Sequence, residues 1–328
     1  MTSEGSDADP SVRRFSGDAP AQVAKRLFNA TRPKFFPASV LPVLAGTAWG
    51  ASVAGTFDGI VLFLALLSTV CVHAGANVLN DVGDDAIGTD RINDDMIHPY
   101  TGGSRFIQEG IMSPAGMARL GISLLVVAAV GGFVLLSMKG ATVLAFGVAG
   151  VTLATLYSLG PARLSCLGLG ELAVGIGFGV LPVCGAAWLQ SGVLDTSALL
   201  FSFPVSAWVA NILLINEVPD RRADGATGKR TLPVRLGLDS TARLYIALHV
   251  VAAVAVVWLT ARGALPLLAP LVPIGLLAMA LPAARAIRAG VDRREALTQG
   301  IETTLAIHTI GTLWLTGCAL YLLLFSAG

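Results

Sequence analysis

The chain has 328 residues, of which 54% are apolar and only 13% charged, about half the roughly 25% charge of a typical soluble domain. That composition excludes an ordinary soluble globular protein, and with a formal net charge of +1 no nucleic-acid partner is expected. The four cysteines, Cys71, Cys166, Cys184 and Cys318, show no CxxC spacing, so neither a zinc site nor a disulfide framework is indicated.

Residues 1–20 mix Ser, Gly, Asp and Pro without periodicity, which predicts a disordered N-terminal tail. A secretory signal is not expected, because the first apolar segment begins too late and runs too long. Residues 21–36 place Lys25, Arg26, Arg32 and Lys34 beside Phe28, Phe35 and Phe36. That mixture suits an amphipathic helix lying on an anionic membrane face, or equally a basic flank to the first span. Stretches long enough to cross a bilayer core, which needs about 20 apolar residues, then recur near 37–56, 60–79, 117–137, 141–160, 168–189, 198–216, 243–261, 265–283 and 303–325. The expected fold is all-α: one polytopic transmembrane bundle of about nine helices within 21–328.

The basic residues orient this bundle. With the N-terminus in the cytoplasm, only Lys139 and Arg262 among the 22 Lys and Arg fall outside, as the positive-inside rule requires. Segments 80–116, 217–242 and 284–302 are then cytoplasmic, and the expected location is the cell's inner membrane.

The chemistry concentrates in the first two of these segments. One contains Asn77, Asn80, Asp81, Asp84, Asp85, Gly88 and Asp90; the other contains Asn216, Glu217, Asp220, Asp224, Gly225, Gly228, Lys229 and Arg230. Both carry Asn-x-x-x-Asp-x-x-x-Asp, as Asn77/Asp81/Asp85 and Asn216/Asp220/Asp224. Residues four apart share one helix face, so each cluster presents a polar stripe where its helix leaves the bilayer. Like charges stacked this way destabilise a helix and call for a counter-charge. Hard oxygen donors suit magnesium, which keeps waters and bridges to substrate phosphates. Two clusters on one side could hold one or two ions and a diphosphate between them.

The competing reading is a pair of solvated loops with caps and turns, which two clusters of matched spacing make much less economical than one would. A calcium loop of EF-hand type is excluded by the missing 12-residue pattern. Pro219 is awkward inside a helix and predicts a kink or a helix start. Arg91, Arg105, Lys229 and Arg230 could neutralise diphosphate oxygens. Lys229 and Arg230 rank above Arg221, Arg222 and Arg235 because they follow a Gly-x-x-Gly turn directly after Asp224. Gly102 and Gly103 suggest backbone close to a ligand.

At these residues the sequence resembles the UbiA superfamily of intramembrane aromatic prenyltransferases. Asn80-Asp81-x-x-Asp84-x-x-x-Gly88-x-Asp90 is similar to that family's first Asp-rich motif. Asp220-x-x-x-Asp224, with Gly228-Lys-Arg-Thr-Leu232 and Val234-Arg-Leu-Gly237, is similar to the second. The resemblance runs from Arg32-Pro33-Lys34 to the last helix. Gly88-Thr-Asp90, Thr101-Gly-Gly-Ser-Arg105 with Gln108 and Gly110, and Tyr157-Ser158 leading to Gly168-Leu-Gly-Glu171 look closest to 1,4-dihydroxy-2-naphthoate prenyltransferases of menaquinone synthesis.

The resemblance implies a magnesium-dependent transfer of a polyprenyl group from its diphosphate to an aromatic ring. Asp81, Asp84, Asp85, Asp220 and Asp224 would supply the metal ligands, with Asp84 and Asp85 competing for one position. Asp81, Asp85, Asp220, Asp224 and Lys229 would be catalytic, and Asn77, Arg91, Arg105, Tyr157, Asn216 and Arg230 would contact substrate. Tyr157 and Glu171 are both candidates for orienting or deprotonating the acceptor. 4-Hydroxybenzoate or a homogentisate-like phenol is the alternative acceptor. An ion-coupled secondary transporter is the reading from another class, but it would place its acids near the bilayer midplane, whereas these collect at one edge.

Overall fold

The computed structural model describes residues 15, 17–158 and 163–325. Of the tail expected over 1–20, residues 1–14 and 16 lie outside the described residues. The short amphipathic helix α1 (Pro20–Ala30) opens the fold, followed after a left-handed Arg32 by a single 3-10 turn, Pro33–Phe35.

Nine apolar helices follow among the described residues: α2 (Pro37–Ala54), α3 (Gly59–Ile87), α4 (Pro114–Lys139), α5 (Thr142–Ser158), α6 (Gly170–Ser191), α7 (Thr196–Ala226), α8 (Leu232–Ala261), α9 (Leu271–Ala289) and α10 (Arg294–Phe325). Seven stretches are long and apolar enough to cross a membrane, the last containing both α9 and α10, while α5 is a shorter apolar helix. The all-α expectation of about nine helices is met, and no strand occurs among the described residues.

Local signals account for the helix ends. Asp58 accepts hydrogen bonds from the N–H groups of Ile60 and Val61 at the start of α3, and Ser113 caps α4. Gly55, Gly88 and Gly192 terminate α2, α3 and α6 in the left-handed region, which costs glycine nothing. A single π-helical turn, Gly175–Val180, lies within α6.

Helix contacts depend on small residues, as expected where lipid removes the hydrophobic drive between helices. A Cβ at Gly46 or Gly50 would lie 2.2 or 2.1 Å from the carbonyl oxygen of Val183 or Ala187, so this Gly-x-x-x-Gly face brings α2 and α6 backbone to backbone. Gly311 likewise accepts the ring of Trp208, buried between α7 and α10. The main core joins Trp49, Phe201, Trp208 and Tyr245 with leucines and isoleucines of α7–α10. By contrast α4 leaves Ile122, Val126, Val130 and Phe133 exposed along one side, a lipid-facing surface.

Two helices run further than hydropathy predicts. α3 continues through the first Asp cluster to Ile87, and α7 through the second to Ala226. Segment 217–242, which lies outside the apolar stretches expected from sequence, is therefore helical apart from residues 227–231 and a break at Gly237 (φ 73°, ψ 167°) within α8. Pro219 sits inside α7 rather than at a helix start. Hydropathy reports where apolar side chains stop, whereas a helix stops where its backbone hydrogen bonding ends.

Candidate active site

The extended ends of α3 and α7 face a cavity of about 250 Å³. Its mouth is lined by Asn80, Asp84, Asp90, Asp220, Asp224 and Lys229. Its deeper wall is apolar, with Val72, Leu153, Ala154, Val174, Phe178 and Ile212 among the lining side chains.

Lys229 ties the two clusters together. Its Nζ lies 2.9 Å from Asp84 Oδ1 and 3.3 Å from Asp224 Oδ1. The turn after α7 places it there: the Lys229 N–H donates to the Asp224 carbonyl at 2.9 Å, and Gly228 takes a φ of 81°. Burial works against the ammonium, but the Asp84 and Asp224 carboxylates outweigh it and hold its pKa above the ordinary lysine value. Thr89 and Thr227 latch the ends of α3 and α7 at 2.9 Å between hydroxyls.

Segment 88–113 folds over the mouth and is fastened by the carboxylates. Asp81 Oδ2 accepts the Ser104 N–H at 2.9 Å. Asp220 accepts from Asn93 Nδ2 at 2.7 Å and from the Gly102 N–H at 3.4 Å. Gly103 (φ 73°) has no room for a side chain, since a Cβ there would lie 2.9 Å from Asp90 Oδ2 and 3.1 Å from Asp81 Oδ1. Arg105, also at positive φ, donates from its guanidinium to the Asp90 carbonyl.

The structure separates the two adjacent acids of the first cluster. Asp84 lines the cavity and bonds Asn80 Nδ2 (2.9 Å) and Lys229. Asp85 does not line it; Arg91 Nε holds it at 3.1 Å, and Gln108 Nε2 at 3.3 Å. Asp81 is buried beneath segment 102–104. Asn77, Tyr157 and Asn216 line the cavity. Arg91 and Arg230 are exposed and do not; the Arg230 N–H instead donates to the Cys166 carbonyl at 2.8 Å.

Other side chains reach the site from positions to which the sequence assigns no role there. Asn93 and Thr101 sit in an irregular segment without periodicity. Arg32 lines the cavity and donates to the Tyr100 carbonyl at 3.0 Å. His73 also lines it, with Nδ1 2.9 Å from Ser39 Oγ and its ring between Phe36 and Phe178. Glu217 was visible in sequence as an acid beside Asn216, but nothing there distinguishes a wall residue from a cap.

Among the described residues no three His, Cys, Asp or Glu side chains form a ready-made metal cage. Magnesium does not need one, since it binds through one or two carboxylates, waters and substrate phosphates. The local electrostatics fit a cation. Asp81 Oδ1 is buried without a hydrogen-bond partner. Burial, then the charges of Asp84 and Asp81, pushes Asp90 up to about 8, and the acids lining the cavity outnumber its two cations, Arg32 and Lys229.

Comparison with known proteins agrees with this architecture. The UbiA prenyltransferase family model matches residues 39–300. The 1,4-dihydroxy-2-naphthoate octaprenyltransferase of Mycobacterium tuberculosis is 31% identical over 85% of this chain and 91% of its own length. The Escherichia coli protein of that name is 31% identical over 65% of this chain and 69% of its own. A UbiA homolog from Archaeoglobus fulgidus, solved bound to GPP and Mg2+, superimposes with a TM-score of 0.62 at 14% identity, covering 89% of this chain and 99% of the other. The chain belongs to the UbiA prenyltransferase family, and its apolar helices make it a multi-pass membrane protein.

Proposed function

We propose that this member of the UbiA prenyltransferase family transfers a polyprenyl group from its diphosphate to 1,4-dihydroxy-2-naphthoate, a step of menaquinone biosynthesis. The observation that carries the reading is the cavity itself, with Asp84, Asp220, Asp224 and Lys229 at its mouth and an apolar wall below. Those two halves match a diphosphate joined to a hydrocarbon chain. The acceptor assignment is supported by the Mycobacterium tuberculosis and Escherichia coli relatives of that name.

In this reading Asp84, Asp220 and Asp224 would hold magnesium, and Asn80 orients Asp84. Magnesium, when bound, supplies positive charge to the diphosphate as its bond to the allylic carbon breaks. Lys229 adds a fixed ammonium on the same oxygens. Asp81 and Asp85 act at one remove: the first holds segment 102–104 over the mouth, and the second anchors Arg91 and Gln108. The apolar wall houses the prenyl chain and keeps water from the allylic cation, which an electron-rich ring carbon attacks. The Lys and Arg distribution supports a cytoplasmic N-terminus and a mouth on the cytoplasmic face of the inner membrane.

The test uses the full chain in lipid nanodiscs with magnesium, a labelled polyprenyl diphosphate and a panel of aromatic acids. Prenylation of dihydroxynaphthoate with release of carbon dioxide is expected. Product only with 4-hydroxybenzoate or a homogentisate-like phenol would replace the acceptor, and no product with any ring would overturn the reading. A reporter fused at the C-terminus should appear outside the cell; a cytoplasmic signal would refute the orientation.

A further inference from the structure

The two cations of the cavity wall are partnered differently. Lys229 is tied to Asp84 and Asp224, whereas none of the ion pairs among the described residues engages Arg32. The Arg32 Nη2 donates to the Tyr100 carbonyl at 3.0 Å, and its Cζ lies 4.9 Å from the centre of the Phe35 ring. Its Nε is buried without a hydrogen-bond partner. The residue is held in the left-handed region, at φ 58° and ψ 57°, a backbone state that costs energy and persists only where the surroundings fix it. A guanidinium lining a cavity with a buried, idle N–H calls for an anion.

His73 lines the same cavity from α3 and is 4% exposed. Its ring stands edge-on to Phe36 and Phe178, with centroids 5.8 and 4.6 Å away. Ser39 Oγ holds Nδ1 at 2.9 Å. Nε2 has no hydrogen-bond partner among the described residues and is left to the cavity. Whichever way the Ser39 hydroxyl points, a second hydroxyl can meet Nε2, because it both donates and accepts. Asn77, one turn further along α3, donates to the Thr31 carbonyl at 3.1 Å, which brings Arg32 and His73 to one side of the cavity.

Given the prenyl-transfer reading, we propose that Arg32 and His73 form the recognition site for the acceptor ring. The Arg32 guanidinium takes the ring carboxylate, and His73 Nε2 takes the ring hydroxyl remote from it. Ser39 is the positioning residue that fixes the imidazole, and Phe35, Phe36 and Phe178 supply the apolar walls for a flat aromatic acid. A prenyl chain can satisfy neither polar group, and leaving them unmatched behind a hydrocarbon would cost free energy. The diphosphate meets Lys229 at the mouth instead.

The experiment measures Kd for three rings under anaerobic conditions, with the full chain in nanodiscs. The rings are 1,4-dihydroxy-2-naphthoate, 1-hydroxy-2-naphthoate, which lacks the remote hydroxyl, and 1,4-naphthalenediol, which lacks the carboxylate. Arg32→Gln should weaken both acids by about 30-fold, the scale of a hydrogen bond to a charged group, and leave the diol near wild type. His73→Leu should weaken dihydroxynaphthoate and the diol by about fivefold, the scale of a neutral hydrogen bond, and leave 1-hydroxy-2-naphthoate unchanged. His73→Gln, which keeps a polar atom near the place of Nε2, should restore most of that loss. The Kd for a prenyl thiolodiphosphate with magnesium should stay near wild type in all three variants.

Wild type by itself should bind dihydroxynaphthoate more tightly than either truncated ring. A wild type that does not distinguish the three, losses equal for all three rings in either variant, or weakened thiolodiphosphate binding in Arg32→Gln would each overturn the proposal. Prenylation of dihydroxynaphthoate by that same wild type would leave the transfer reading standing. A wild type that prenylates no ring would overturn both.

Discussion

The two carboxylate clusters share a spacing in sequence but not a role in space. On α7, Asp220 and Asp224 both line the cavity. On α3, Asp81 and Asp85 occupy the equivalent places in the pattern, yet neither lines it. Asp81 is roofed by Ser104, Asp85 is held by Arg91 and Gln108, and Asp84, off the repeated stripe, meets Lys229. The difference arises from what packs outside each helix end. α3 runs directly into segment 88–113, which folds back and claims the outer carboxylates. α7 turns within five residues into α8, and although segment 88–113 also bonds Asp220, both of its acids still line the cavity.

Substitutions can break this contrast. The largest effect is expected on α7: Asp224→Asn or Asp220→Asn, like removal of magnesium with a chelator, should cut prenyl transfer by about 1,000-fold or more, at the upper end for losing a group that stabilises developing charge. Measured kcat/KM would check this, and activity that survives chelation would remove the metal from the reaction. Asp84→Asn should cost about 100-fold, although it lies outside the repeated pattern; a wild-type rate would return the metal position to Asp85. Gly103→Ala, which forces a Cβ against Asp90 and Asp81 at positive φ, should cost about tenfold in kcat, the penalty of a slightly misplaced cover. Asp85→Asn should be mildest, lowering activity only by about twofold to fivefold. Its carboxylate is buried but faces away from the cavity, towards the exposed guanidinium of Arg91, where solvent screening weakens the pair. If Asp85→Asn were as damaging as Asp224→Asn, the two clusters would be functionally symmetric after all.

Much of the fold was legible without coordinates. Membrane crossing depends on a sum of local transfer free energies, so runs of Leu, Val and Ala locate nine helices whatever their neighbours do. The Gly-x-x-Gly turn after Asp224 likewise marked Lys229, because such a turn reverses the chain at once and returns the next side chain to the helix end. Arg230, adjacent in sequence, was indistinguishable on that basis but points outward. Asn93 left no pattern, since it bonds Asp220 from a segment with no regular period, whereas the glycine pair marked Gly102, whose N–H does reach Asp220.

The amino-acid order by itself determined the class of this protein, the gathering of its acids beyond the ends of two apolar stretches, and the oxygen-rich chemistry they supply. Those properties follow from composition and from spacing along one helix. The tertiary structure decided which of Asp84 and Asp85 meets the cavity, since neighbours on a helix point about 100° apart and only the packing of α7 against α3 selects one direction. It also brought Gly170 and Glu217, 47 residues apart in the chain, together where α6 meets α7. No local pattern encodes that pairing, because it depends on how closely α6 approaches α7 at Gly170.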